Sequence, residues 1–364
     1  MSNILRFAGH ARTGTAPGQM APLLAGFARH RRRPGDAFWL KENAELLGIL
    51  AACGRKLPDL ALAVYEPFYD GIEAQLTFHP QYYRMLLGLT LSIEALGHPG
   101  RKSAALAEWI VSAGWPETEV NDLQRAETRL LLARAGQVVE MPGLDARLLA
   151  FAGRSECFAI PNPRAAYDLV HVVFYLSDYG RLPLNLPPAA GDSLHLLGCL
   201  AHLDGDGDLL AEVCLALRFA GLPQPQLWRD HILEEAARFR IEPVACSDSS
   251  DGYHNYLVNR WLIEANGGQG FRDAYPVGPM QFVLPRNLIS PLREWSQALM
   301  ALGRARSPDF AAMRRLCATR LSPQALARAD AGAEASPQFA RFFAAFARAS
   351  GPMGGAAGLR RAGA

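Results

Sequence analysis

The chain has 364 residues, half of them hydrophobic and a fifth charged, with a formal net charge of +2. This is ordinary globular composition, long enough for a large core. The near-neutral charge gives no reason to expect nucleic acid or a membrane surface as partner. No window reaches the roughly 18 uninterrupted apolar residues of a membrane span, and the start, Met1-Ser2-Asn3-Ile4-Leu5-Arg6-Phe7, lacks the apolar run of a secretory signal. The cysteines are scattered without a Cys-x-x-Cys pair, which suits reduced, buried thiols, so a cytoplasmic location is expected.

Residues 1–18, rich in Gly, Thr, Ala and Arg, are expected to be a flexible arm, and the Gly/Ala-rich 351–364 a disordered tail. Between them, 19–350 reads as a single all-α domain. A helix over 20–32 ends at Pro34, and its basic end, His30 to Arg33, reads as a solvated C-terminus favoured by the helix dipole. Helices follow over 37–53, 60–69, 81–96, 101–113, 116–135 and 144–152. Most open on Asp or Pro and close on Gly, as consecutive helices should. A further helix is expected over 165–179, then 191–203, 208–220, 225–240 and 253–265. The loop 266–285 is longer than an ordinary connection, and such loops tend to be functional or disordered. Helices resume over 290–303, 308–319, 323–330 and 337–348. No convincing strand is found, and the expected class is all-α, antiparallel helical hairpins in a curved or closed α/α, toroid-like array.

The stretch 167–180 is the one around which the chain is expected to be organised. At about 100° per residue, Asp168, His171, Tyr175 and Asp178 share one arc of an otherwise apolar helix. Buried ionisable groups need partners or a ligand. Asp251 and His254 repeat the Asp-x-x-His spacing at a second helix start, with Asp251 as the expected N-cap. His254, near a helix N-terminus, is expected to be neutral, as a metal ligand or general base must be. Two such units can converge on one pocket, or each histidine can simply satisfy its own i−3 aspartate in the core. His195, Cys199 and His202 also share a face, but that series reads as packing. Asp204-Gly205-Asp206-Gly207-Asp208 fails as a calcium loop, because Leu209 and Leu215 stand where Gly and Glu are required. It reads as a turn with Asp208 as N-cap. No dinucleotide fingerprint, Walker loop, HExxH or nucleophile elbow is present.

The run from Tyr167 to Gly180 resembles a signature, roughly Y-x-L-T-H-x-x-F-x-L-T-D-W/F-G, of an uncharacterised family of helical proteins frequent in bacterial, mainly actinobacterial, genomes. Leu209-Leu210-Ala211-Glu212 and Gly252-Tyr253-His254-Asn255 resemble two further blocks, so the likeness covers about 36–265. It marks Tyr167, His171, Phe174, Asp178, Gly180 and His254. The chain departs from it at Val170 and Ser177, where Thr is usual, and at Asn255, where Ser or Thr is usual. The family brings no assigned activity. The general look is also similar to α/α-toroid cyclases, without their zinc or aspartate-rich motifs.

Three function classes stay open. The first is a biosynthetic or modification enzyme with a His/Asp pocket: His171, His254, Asp178, Asp168 and Tyr175 are the candidate catalytic residues, and a divalent metal the candidate cofactor, with His171 and His254 its candidate ligands. The second is a non-enzymatic scaffold binding a peptide or partner protein, and the third a small-molecule binding module.

Overall fold

Short polar side chains open the helices by accepting from backbone N–H groups that have no partner inside the helix. Asp36 accepts from Phe38 at the start of α1 (Ala37–Ala52), which packs on α2 (Tyr83–Leu96). Asn121 and Asn162 cap α3 (Asp122–Arg134) and α4 (Pro163–Leu176) in the same way. The chain continues through α5 (Pro188–Asp204), α6 (Gly207–Phe219), α7 (Gln226–Arg238) and α8 (Tyr253–Ala265). Ser290 and Ser322 then cap α9 (Pro291–Leu302) and α10 (Pro323–Ala335). These elements come from a computed structural model that describes residues 20–247, 250–285 and 290–349. The expected arm 1–18 and tail 351–364 lie outside the described residues.

The all-α class expected from the sequence is the class observed. Among the described residues, strand is confined to one antiparallel pair, β1 (Arg240–Pro243) and β2 (Met280–Val283), with Ile241 opposite Phe282. This ribbon was not expected from the sequence. β2 falls in the long loop before α9, and its pairing partner lies some forty residues earlier in the chain, beyond the reach of local pattern. No helix among the described residues is long and apolar enough to cross a membrane.

The centre of the molecule is α6, not the helix carrying Tyr167. α6 packs against α4, α5, α7 and α8, and every residue from Leu209 to Leu217 is buried. Each fully buried Leu there contributes roughly 1.5–3 kcal/mol, so a carboxylate within that run, Glu212, occupies a costly position. α4 is amphipathic instead: Leu169, Val170, Val172 and Val173 are buried, while Tyr167, Asp168, His171 and Tyr175 are only half-buried.

The basic run at the end of the first helix is not uniformly solvated. Arg31 is buried: its Nε donates to Glu42 (2.7 Å), and its Nη atoms donate to Asp251 (2.9 and 2.8 Å). Its guanidinium also lies over the Tyr253 ring, 4.5 Å from the centroid. This network ties the N-terminal segment to the start of α8.

Candidate functional site

The site begins at the Asp-Gly-Asp-Gly-Asp turn between α5 and α6. Gly205 takes a positive φ of 75° and ends α5, a conformation that costs other residues energy. Asp206, not the expected Asp208, caps α6, its Oδ1 accepting from the Leu209 amide at 3.1 Å. Asp208 is thereby left inside the first turn and faces α8. Its two carboxylate oxygens lie 2.8 and 3.0 Å from Nδ1 of His254. From α4, the Tyr167 hydroxyl donates to Asp208 Oδ2 at 3.1 Å.

One helical turn further along α6 sits Glu212. Its Oε1 is 3.8 Å from Nε2 of His254, and its Oε2 is buried with no hydrogen-bond partner among the described residues. Asp208, Glu212 and His254 each present one ligand-type atom, all within 4.8 Å of one another. Atoms bound to a common ion at about 2 Å lie up to ~4 Å apart, so closing the group on an ion asks for a shift of under ~1 Å.

The electrostatics follow from this crowding. Burial opposes a charge on His254, but the hydrogen bond to Asp208 and the nearby carboxylates, Glu45 included, outweigh it and raise its pKa to about 9. The neutral histidine expected from helix position alone is therefore overridden by an aspartate from another helix. Burial raises Glu212 to about 8; Asp208, Glu45 and Asp206 add to the shift and His254 opposes it. Burial and the same aspartate also push the Tyr167 phenol well up.

A cavity of about 490 Å³ opens beside the group, lined by Tyr167, Asp208, His254, Asn255, His231 and Arg328 among others. A second cavity of equal volume, bordered by Cys53, Gly180, Phe219 and Trp261, has Glu264 as its carboxylate. Glu264 is engaged by Arg55 (2.5 Å), so the chemistry gathers in the first cavity.

His254 is in the cluster. His171 stacks on Tyr175 (5.6 Å between centroids) and meets the edge of Phe174. Burial lowers its pKa to about 4; a hydrogen bond with the Tyr167 backbone opposes the shift, and His254, close enough to be felt, adds to it. Asp168 is half-buried on α4, its pKa raised by burial against the pull of Arg164. Asp178 lies beyond the end of α4 with φ at 48°, paired with Arg134 and, at 3.3 Å, Arg181. Neither Asp-x-x-His unit bonds within itself: Asp251 is taken by Arg31 and by the Phe282 amide (2.8 Å), and His254 by Asp208. His195 lies against Trp228 and Cys199 bonds Ser336, in keeping with packing.

Asp208 and Glu212 were missed as a site. Their signal is an i, i+4 carboxylate pair on a helix that is otherwise apolar up to Arg218 in its last turn.

The chain belongs to the family described as Domain of unknown function (DUF6902), whose model matches residues 1–349. An uncharacterised family was expected from the motifs, and the match covers more of the chain than the motifs did. No curated protein and no solved structure matches the chain.

Proposed function

We propose that the protein is an enzyme that holds a divalent cation at Asp208, Glu212 and His254 and acts on a small molecule in the adjoining cavity. The observation that supports this reading is Glu212. It is buried in a run of α6 with no exposed residue, and one of its oxygens has no hydrogen-bond partner among the described residues; an unsatisfied buried polar atom costs about 1–3 kcal/mol unless something binds it. A cation would supply that partner. With the protons of Glu212 and His254 released to solvent on binding, two carboxylates and one imidazole would form an oxygen-rich set suited to Mn²⁺, Fe²⁺ or Zn²⁺. Half-exposure of Asp208 and His254 leaves room for a substrate atom or water beside the ion, and a bound ion would supply a Lewis acid and an activated water.

The chain's own groups then take distinct roles. Tyr167 holds Asp208 in place through its hydroxyl. His171, stacked on Tyr175, hydrogen-bonds with the Tyr167 backbone one turn earlier on α4. Asp168 and Asp178 lie outside this centre. A cavity with this many polar groups fits an enzyme better than a carrier, whose cavity is mostly apolar.

The test is thermal unfolding with and without Mn²⁺ or Zn²⁺, in the wild type and in His254→Ala. A ligand at about 100 times its Kd stabilises by ~2.7 kcal/mol. The wild-type transition should rise by several degrees and the variant's should not. A cation shift of equal size in both proteins would contradict the assignment.

A further inference from the structure

We infer that Arg328 and His231 form an anion-binding subsite of the same cavity, so that the molecule bound there carries a phosphate or carboxylate group. The inference takes its cavity from the function proposed above but does not need the cation. α10 packs on α5 and α7 and brings Arg328 to the cavity wall. There its Nη2 lies 3.1 Å from both ring nitrogens of His231, carried by α7.

Arg328 stands on the cavity wall without a paired counter-charge. Arg31, Arg84, Arg134, Arg147, Arg260, Arg314 and Arg341 each have a carboxylate in ion-pair contact. Among the described residues, no carboxylate comes within ion-pair reach of Arg328. Burial accordingly disfavours its charge, with Glu235 and Asp204 opposing only from a distance. His231 is no competing cation, since burial, Arg328 and Arg238 lower its pKa to about 4, and the neutral ring can accept from the guanidinium.

Each acidic group on this cavity has a partner other than Arg328: Asp206 accepts from the Leu209 amide, and Asp208 is held by His254 and Tyr167. Asp204 accepts from Ser290, Glu235 from Asn255 (2.9 Å) and Asn259 (3.1 Å), and Asp251 from Arg31. Gly205 gives Arg328 its room: a Cβ built there would meet Nη1 of the guanidinium. A second cation, Arg238, stands on the lining with its Nη2 donating to the Pro285 carbonyl at 3.0 Å. A planar guanidinium with free donors matches the oxygens of phosphate or carboxylate in a two-point contact, which an ammonium cannot reproduce.

The probes are inorganic phosphate and acetate, titrated calorimetrically into metal-free wild type, Mn²⁺-loaded wild type, Arg328→Gln, Arg328→Lys and His231→Gln. Metal-free wild type should bind at least one anion saturably. Arg328→Gln should weaken that binding tenfold or more, and Arg328→Lys should weaken it too, because charge remains but the fork is lost. If Arg328→Gln fails to fold, Arg328→Lys and His231→Gln carry the comparison, with circular dichroism as the check. Binding of phosphate alone assigns a phosphate-bearing ligand, and of acetate alone a carboxylate. No saturable binding without Mn²⁺, or equal binding by the folded Arg328 variants, would overturn the subsite. Mn²⁺ uptake in the loaded arm reports separately on the cation centre.

Discussion

Asp251 and His254 stand three residues apart at the start of α8, yet they enter two opposite kinds of cluster. Asp251 joins Arg31 and Glu42, where side chains with at most 5 % exposure satisfy one another. His254 joins Asp208 and Glu212, where two side chains are part-exposed to a cavity and a buried oxygen goes unpartnered. Buried charge is expensive in both places. The first cluster is closed on itself and acts as a structural tie. The second is open, and what it lacks is what a ligand would bring.

That contrast predicts a ranking of effects. The largest belongs to Arg31→Met. Removing the cation leaves buried Asp251 with no charged partner and Glu42 with Arg32 alone, and should cost about 3–5 kcal/mol, read as a large fall in denaturation midpoint. Full stability in this variant would show that the closed cluster is no tie.

Next come the open-cluster variants. His254→Ala and Asp208→Asn should each change stability by only ~1 kcal/mol, because water from the cavity replaces the lost partner, while abolishing cation binding. Losses as large as for Arg31→Met would erase the distinction between the two clusters.

A further test is pH. Burial first, then Arg328 and a neighbouring histidine or Arg238, lower His202 to about 3 and His231 to about 4. Both stay neutral in the fold but charge in the unfolded chain below the ordinary value of 6.5. Their contribution is thus intact above pH ~6.5 and lost as pH falls toward ~4, by up to about 1.4 kcal/mol per unit for each. A stability profile flat across that window would contradict the burial of these rings.

The smallest effect is expected from Asp178→Asn. Its ion pairs with Arg134 and Arg181 lie near the surface, where such pairs contribute about 0.2–1 kcal/mol. The melt should barely move, and cation binding should not change.

Much of the fold was legible because proline, glycine and capping residues act locally. The helix opened by Asp36, and the one ended by Gly205, follow from neighbours in sequence. The end of α4 was less so. Ser177 Oγ accepts from the Gly180 amide (3.1 Å), and Asp178 and Tyr179 take positive φ, which stops the helix short and swings Asp178 off the stripe shared by Asp168, His171 and Tyr175. The site was half legible. His254 stood out by its spacing from Asp251, but its partner comes from α6, and pairing between distant helices leaves no periodic trace. Glu212 looked like one more residue of a matched block until the helix around it proved fully buried. Arg31 misled for the same reason: a basic run is usually solvated, and only the packed fold brings Glu42 and Asp251 to it.

The most direct measurement is calorimetric titration of Mn²⁺ into metal-free wild type and into Glu212→Gln. The substitution keeps shape and, with Glu212 raised to about 8, removes little charge at neutral pH, so the fold should persist. A cation centre at Glu212 predicts one equivalent bound by the wild type and at least tenfold weaker binding by the variant. Wild type that takes up no cation, or a variant that binds as tightly, would contradict it.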